Sequence, residues 1–191
     1  MKREFDVIVW GATGFTGKLD VEYLARTYGT DGDLKWAIAG RNQAKLEAVR
    51  KEAVPEAKRQ HLAIFTADSQ DAASLEALVK RARVICTTVG PYAKYGTPLV
   101  SACASHGTHY CDLTGEVQWM TRVIPQFQEA AEDSGARIVH TCGFDSIPSD
   151  MGVWFVQQAM LEQHGVAGSA VKGRVGKSRG GASGGTIHSM L

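Results

Sequence analysis

The sequence predicts an α/β protein built on a doubly wound, mainly parallel sheet, and three observations support this prediction. Segments with strand character alternate with helical segments along most of the 191 residues, which is typical of right-handed βαβ crossovers. Several strand segments, such as 84–89 and 136–140, are apolar without full alternation, as expected for strands buried on both faces. A glycine-rich turn separates the first strand from the first helix.

That turn follows the first predicted strand, residues 5–10, and leads into a predicted helix over 15–28. Gly11 can take the tight turn, Gly14 leaves room for a diphosphate, and Gly17 lets the helix pack close to the strand. The free N–H groups and the positive end of the helix favour an anion. The turn therefore predicts a Rossmann-type dinucleotide site, with contacts from Gly11, Thr13, Gly14, Phe15, Thr16 and Gly17.

The second predicted strand, residues 34–40, decides between the two nicotinamide dinucleotides. NAD-binding domains usually place a carboxylate at this strand end to hold the ribose 2′-hydroxyl. This chain instead has Gly40 followed by Arg41, whose planar cation suits a 2′-phosphate. Lys45, one turn into the next predicted helix (42–53), could assist. We therefore expect NADP(H) as the cofactor.

The remaining predicted strands cover 61–67, 83–89, 108–112 and 136–141, and the helices cover 71–81, 97–106, 121–134 and 149–163. In a parallel sheet, the loops at the carboxyl ends of the strands form the ligand side. We expect Asp68 and Ser69 near the adenine, and Gly90 and Pro91 near the nicotinamide. A plain structural interpretation stays open for each, because Asp and Ser cap helices and Gly-Pro makes turns.

Catalytic residues are not fixed by the sequence. Tyr92, Glu116 and Asp145 lie in loops at the expected edge and are candidates for the proton donor, with Thr114 and Ser146 as further polar groups nearby. No tyrosine at 92, 95 or 110 is followed four positions later by lysine. This absence argues against a standard short-chain dehydrogenase.

Composition excludes several classes of function. The net charge of +1 offers nothing to a nucleic acid partner, and no apolar run approaches the length of a transmembrane segment. The four cysteines form no CxxC pair, so we expect free thiols in the cytoplasm. A zinc site is not expected, since a predicted helix end at Gly107 separates its potential ligands, Cys103, His106, His109 and Cys111.

The character of the chain changes towards its end. We expect a dinucleotide-binding domain over 1–150, then a connecting helix that buries Val153, Trp154 and Val156. A Gly-interrupted strand over 165–177 and a Gly/Ser segment over 178–186 follow. Residues 151–191 are thus predicted to be the connecting helix and first strand of an incomplete C-terminal substrate or dimerisation domain. An apolar face exposed there would favour a homodimer.

Five ordered motifs together suggest a family: residues 10–17, 39–41, 89–92, 109–116 and 143–150. They resemble the saccharopine dehydrogenase-like oxidoreductases, with the trans-acting enoyl reductase branch most similar. The resemblance implies an NADP(H)-dependent Rossmann domain, normally followed by a larger C-terminal portion that supplies much of the substrate pocket. We therefore expect a fragment or a truncated gene product.

What the resemblance implies for the reaction differs between branches. The enoyl reductases reduce a carbon–carbon double bond on a lipid-like substrate, whereas saccharopine dehydrogenases act on an amino-acid imine. Two other possibilities stay open: a non-catalytic NADP(H)-binding or regulatory module, and an atypical short-chain reductase or isomerase complete in 191 residues.

Overall fold

The computed structural model describes residues 3–177 and residue 184. Within them lies one sheet of six strands, all paired in parallel in the order β3-β2-β1-β4-β5-β6. This order is that of a Rossmann-type doubly wound fold, so the predicted fold class is confirmed. The strands are β1 (Phe5–Trp10), β2 (Trp36–Gly40), β3 (Ala63–Thr66), β4 (Ala82–Thr87), β5 (His109–Asp112) and β6 (Ile138–Val139).

Helices connect the strands and flank both faces of the sheet. They are α1 (Phe15–Tyr28), α2 (Gln43–Ala53), α3 (Ala72–Val79), α4 (Tyr92–His106), α5 (Val117–Ser134) and α6 (Ile147–His164), with a short 3-10 helix at Glu56–His61.

Two core clusters lie on opposite faces of the sheet. One packs α3, α4 and α5 against β1 to β5, with Ile8, Ile85 and Tyr110 at its centre. The other packs α1 and α2 against β1 and β2, around Val9 and Ile38. Alternate residues of one strand thus enter different clusters, which is why the strands are apolar without alternation.

Several predicted boundaries were wrong. We expected a helix over 97–106. Instead α4 begins at Tyr92 and includes Pro98 in its interior. Helix α5 begins at Val117 rather than 121, and the sixth strand shrinks from 136–141 to Ile138–Val139.

The predicted burial of the last helix was also wrong. Val153, Trp154 and Val156 are 44%, 58% and 43% exposed. Among the described residues, Gly168 bonds to Gln157 of α6, but no residue of the helix is buried. Residues 168–177 form neither helix nor strand, so the strand expected over 165–177 is not found. The Gly/Ser segment lies outside the described residues apart from Gly184, and the division into two domains stays a prediction.

None of the helices in the described ranges combines the length and the apolar character that a membrane crossing requires.

Candidate functional site

The glycine turn between β1 and α1 has no room for a side chain at positions 11 and 17. Gly11 has φ +90°, and a Cβ there would lie 2.6 Å from Val89 Cγ2. A Cβ on Gly17 would overlap the carbonyl oxygen of Gly11 and lie 2.9 Å from Ala12 Cα. Both glycines therefore let three backbone segments approach: the end of β1, the start of α1 and the residues after β4.

Gly14 is different, because the protein itself does not require a glycine there. Its φ of −75° suits any residue, and a Cβ would meet only Gly11 O, at 3.3 Å. Gly14 is the N-cap of α1, and no side chain caps that helix. The first N–H groups of the helix are thus left for an external anion, and a missing side chain at 14 keeps the approach open.

A cavity of about 430 Å³ opens in front of this turn. It lies at the carboxyl ends of β1, β2 and β4, where the strand order reverses and open α/β sheets bind ligands. Among the described residues, it is lined by Trp10, Gly11, Thr13, Gly14, Phe15, Thr16, Gly40, Arg41, Ser69, Thr88, Val89, Gly90 and Gly184.

Arg41 supplies the charge at one end of this cavity. Its side chain has no hydrogen bond or ion pair with any residue in the described ranges. It follows Gly40, the last residue of β2. A Cβ at position 40 would make only ordinary contact with Leu46, at 3.6 Å, so packing does not demand glycine there. The pair combines open space with an unneutralised guanidinium, which suits a 2′-phosphate.

Of the other predicted cofactor residues, some line the cavity and some stabilise turns or helix ends instead. Ser69 is buried and lines the cavity. Asp68 does not line it, and its Oδ1 accepts the Gln70 N–H at 2.9 Å, which stabilises the turn before α3. Lys45 and Pro91 are also outside the lining, and Pro91 is the N-cap of α4.

Tyr92 belongs to the core rather than to the cavity. Its ring stacks on Trp119 with centroids 5.6 Å apart, and its hydroxyl donates to Thr87 O at 3.3 Å. Burial, assisted by the Asp112 charge, raises the pKa of Tyr92 far above its ordinary value. The hydroxyl stays protonated, and its placement argues against donation to a substrate.

Glu116 caps α4 across a separation of 24 residues. Its carboxylate accepts the N–H of Tyr92 at 2.8 Å and that of Ala93 at 2.7 Å. A carboxylate at a helix N-terminus satisfies orphan donors and complements the helix dipole. Because Gly90 lines the cavity two residues before α4, this cap helps to hold the cavity wall in place.

Asp112, at the end of β5, is the centre of a buried network. Its Oδ2 accepts from Tyr110 Oη at 2.8 Å and lies 2.7 Å from His140 Nδ1. Its Oδ1 accepts the N–H groups of Thr114 and Thr141, both at 3.0 Å. The carboxylate is fully buried, so these bonds replace its hydration and tie β5 to the residues after β6.

The matching family model is the saccharopine dehydrogenase NADP-binding domain, which covers residues 7–139. The chain belongs to this family. The cofactor of this family is NADP, as the sequence predicted, and the placement of its site at the glycine-turn cavity stays a prediction.

Relatives extend this comparison. A Mycobacterium tuberculosis protein named as a candidate trans-acting enoyl reductase, Rv2449c, is 49% identical over 189 residues, covering 99% of this chain. Trans-acting enoyl reductases of M. tuberculosis and M. leprae are 46% and 45% identical over 161 residues, or 84% of this chain. The chain spans only 44% of the first relative and 37% of the other two.

Among solved structures, apo saccharopine dehydrogenase (L-Glu forming) from Saccharomyces cerevisiae superimposes with a TM-score of 0.61. It is 16% identical and matches 84% of this chain and 31% of its own length. At this identity the likeness supports the fold alone.

Sequence reasoning did not predict the whole lining of the glycine-turn cavity. Trp10, Thr88 and Val89 line the cavity but were not predicted as cofactor contacts. The signal was available, because a classic 3-2-1-4 strand order places the end of β4 directly beside the glycine turn. The Asp112–His140 pair was missed as well, although Asp112 ends β5 and His140 directly follows the neighbouring strand β6.

Asp145 and Ser146 lie outside this cavity lining. Asp145 is exposed in the loop before α6, beside Phe144, which is 76% exposed. Ser146 is the N-cap of α6 but makes no capping bond with its side chain. The structure thus does not bring the three predicted proton donors together.

Proposed function

We propose that this chain is the cofactor-binding portion of an NADP(H)-dependent oxidoreductase that reduces an enoyl or related unsaturated, lipid-like substrate. The unpaired Arg41 beside Gly40, at the rim of the glycine-turn cavity, carries the cofactor part of the proposal. The names of the relatives support the reaction. The chain spans less than half of their length, so the reaction is proposed for a protein that includes more than these residues.

Each wall of the cavity has a role in placing the cofactor. The N-terminus of α1 and Gly14 would hold the diphosphate, Arg41 the 2′-phosphate and Ser69 the adenine side. Residues 88–90 would border the nicotinamide half, with Glu116 fixing the start of the following helix. Bound NADPH supplies the hydride, and the protein supplies its position and orientation.

For an enoyl substrate, a hydride adds to the β-carbon, the enolate oxygen needs stabilisation, and a proton goes to the α-carbon. Tyr92 is committed to the core and Glu116 to capping. Of the three predicted donors, Asp145 keeps an exposed carboxyl group, and we propose its protonated form as the source of the proton.

A second candidate is a non-catalytic NADP(H)-binding module. It is favoured by the structural roles that Tyr92 and Glu116 take, which leave the cavity without a proton donor from the predicted set. A saccharopine dehydrogenase-type reaction on an amino-acid imine is the third candidate, favoured by the family itself. We further propose a cytoplasmic location, since the four cysteines are free thiols in the structure.

Nucleotide titration tests the cofactor assignment. Trp10 lines the cavity, so its fluorescence is expected to change when NADPH or NADH binds. We expect tighter binding of NADPH, and equal affinity for both would contradict the role of Arg41. Hydride transfer to enoyl thioesters but not to imines, measured as loss of NADPH absorbance with the longer protein, would support the proposed reaction. Binding without turnover on either panel would favour the module.

A further inference from the structure

Two cysteines lie side by side on the neighbouring strands β4 and β5. Cys86 and Cys111 are register partners, and both are partly buried. The residues before them, Ile85 and Tyr110, belong to the core of one face, so both cysteine side chains lie on the opposite face. Neighbouring strands are about 4.8 Å apart, and a disulfide joins Cα atoms about 4.4–6.8 Å apart. The backbone thus already meets this requirement for a disulfide. We call these two residues the thiol pair.

The two thiols of the pair interact directly. A hydrogen bond from the Cys111 thiol is the main reason why the pKa of Cys86 lies below its ordinary value. The same hydrogen bond, together with burial and the charge on Cys86, raises the pKa of Cys111. Cys86 is therefore the member that ionises first, while Cys111 keeps its proton. A thiolate is the form that attacks a disulfide.

Two carboxyl groups oppose the ionisation of Cys86 without reversing it. Asp20 acts on Cys86 from α1, and Asp112 acts on it from the end of β5. Burial raises the pKa of Asp20, and the Asp112 carboxylate is occupied by the buried network described above. The bond from Cys111 outweighs both charges, so the low pKa of Cys86 depends on its partner thiol.

The other two cysteines lack these properties. Cys103 is fully buried in the opposite core, and burial raises its pKa. Cys142 follows β6, and its thiol donates to the carbonyl oxygens of Val139 at 3.6 Å and His140 at 3.8 Å. Burial raises the pKa of Cys142 as well. Because its charge acts on Cys111, Cys142 is the alternative partner that a test must distinguish.

We propose that Cys86 and Cys111 form a reversible exchange site for small-molecule disulfides. The Cys86 thiolate attacks one sulfur of such a disulfide, whose S–S bond breaks. A mixed disulfide forms on Cys86, and one small thiolate leaves. Cys111 then attacks the Cys86 sulfur, the bond between the two cysteines forms, and the second small thiolate leaves. The two cysteine protons end on the leaving thiolates, so two protein thiols are oxidised and one small disulfide is reduced to two thiols.

The first step prepares the second. Once Cys86 carries a mixed disulfide, it has no negative charge and no longer accepts the bond from Cys111 as a thiolate. Two of the causes that raise the pKa of Cys111 are thereby removed. The second thiol thus becomes easier to ionise only after its target has formed, which favours closure of the internal disulfide over retention of the adduct.

This exchange goes beyond the proposed oxidoreductase function, since it uses neither NADPH nor an enoyl substrate. In a reducing compartment, disulfides of this kind are transient and serve catalysis or redox sensing. The free thiols of the structure are then the resting form, and the disulfide is the form made when small disulfides accumulate.

Oxidised glutathione tests the proposal on the folded chain, with an acid quench and peptide mapping by mass spectrometry. We expect a disulfide between Cys86 and Cys111, no glutathione retained on either, and recovery of both thiols with dithiothreitol. The chain unfolded in urea is the control for reagent activity. The proposal is wrong if the folded pair stays reduced while the unfolded chain reacts. It is equally wrong if a stable adduct remains on Cys86 or if the mapped disulfide contains Cys142.

Serine variants assign the two steps. Cys111→Ser should stop at a glutathione adduct on Cys86. Cys86→Ser should react at least about tenfold more slowly at Cys111, the thiol of higher pKa. Cys142→Ser is the matched control and should form the same disulfide at the wild-type rate. Unchanged reactivity in Cys86→Ser would overturn the assignment of the attacking thiol. The wild-type peptide map decides the pairing even if a serine variant does not fold.

Discussion

Alanine substitutions at Gly14 and at Gly17 should have different effects. We expect Gly14→Ala to weaken cofactor binding and Gly17→Ala to destabilise the fold. Both glycines belong to the same turn, yet they face different obstacles. A methyl group on Gly17 would overlap the Gly11 carbonyl oxygen, whereas one on Gly14 meets that oxygen at 3.3 Å, within what a small shift relieves. A methyl group at position 17 would therefore clash with the protein's own backbone. A methyl group at position 14 would instead stand in the way of the bound diphosphate.

The expected magnitudes follow from these contacts. Gly17→Ala gains up to about 1 kcal/mol of helix propensity, but overpacking against backbone costs about 1–3 kcal/mol or more. We therefore expect net destabilisation. Gly14→Ala gains about 0.4–1 kcal/mol by restricting the unfolded chain, offset by the preference for glycine over alanine at an N-cap. Its stability should stay within about 0.5 kcal/mol of the wild type, while NADPH binding weakens at least about tenfold.

Urea unfolding followed by circular dichroism gives the stability, and titration of Trp10 fluorescence gives the NADPH affinity. Each variant serves as the control for the other. Gly14→Ala that binds NADPH as tightly as the wild type would refute the view that the open approach at Gly14 serves the diphosphate. Gly17→Ala with unchanged stability would refute the packing argument.

Three further predictions concern other parts of the site and core. Arg41→Ala should weaken NADPH binding about 10–100-fold, the range of one charged hydrogen-bonding partner, and leave NADH binding unchanged; parallel losses for both nucleotides would contradict it. Glu116→Ala removes the cap of α4 and should cost about 2 kcal/mol in urea unfolding, whereas Glu116→Gln, which keeps an acceptor, should cost less; equal losses would show that the hydrogen bonds are not responsible. Burial raises the pKa of the Cys103 thiol in the folded protein. The contribution of this thiol to stability is therefore complete below the pKa of an unfolded thiol, about 8.5. It is lost as the pH rises from there towards the pKa of the folded state, by up to about 1.4 kcal/mol per pH unit. Cys103→Ala should flatten this alkaline decline, and an unchanged slope would exclude Cys103 as its cause.

The cofactor half of the site was predictable because its signals are local. The glycine turn lies within seven residues, and Arg41 follows its strand directly. Alternation of strands and helices also identified the fold. Each of these features depends on neighbours in sequence, where side-chain type and spacing are sufficient.

The features that sequence reasoning missed depend on distant contacts. Glu116 looked like a candidate acid because its partners, the N–H groups of Tyr92 and Ala93, are 24 and 23 residues away. Tyr92 looked like a loop residue because the helix was predicted over 97–106, whereas α4 begins at Tyr92. Helix α6 was predicted to be buried because its sequence is apolar. An apolar sequence shows that a helix favours burial, but it does not show which residues would cover the helix, and none of the described residues buries α6.

The central position of β1 has a consequence for synthesis on the ribosome. The first strand made is flanked by β2 on one side and β4 on the other, and its partner Ala82 lies far downstream of Phe5. At about 5–20 residues per second, roughly 4–15 s pass before that partner is made. Late in this interval, once β2 and β3 have been made, β1 is the unpaired edge of a three-stranded sheet, an aggregation-prone state. Nascent chains of this protein should therefore need protection by a chaperone until β4 emerges.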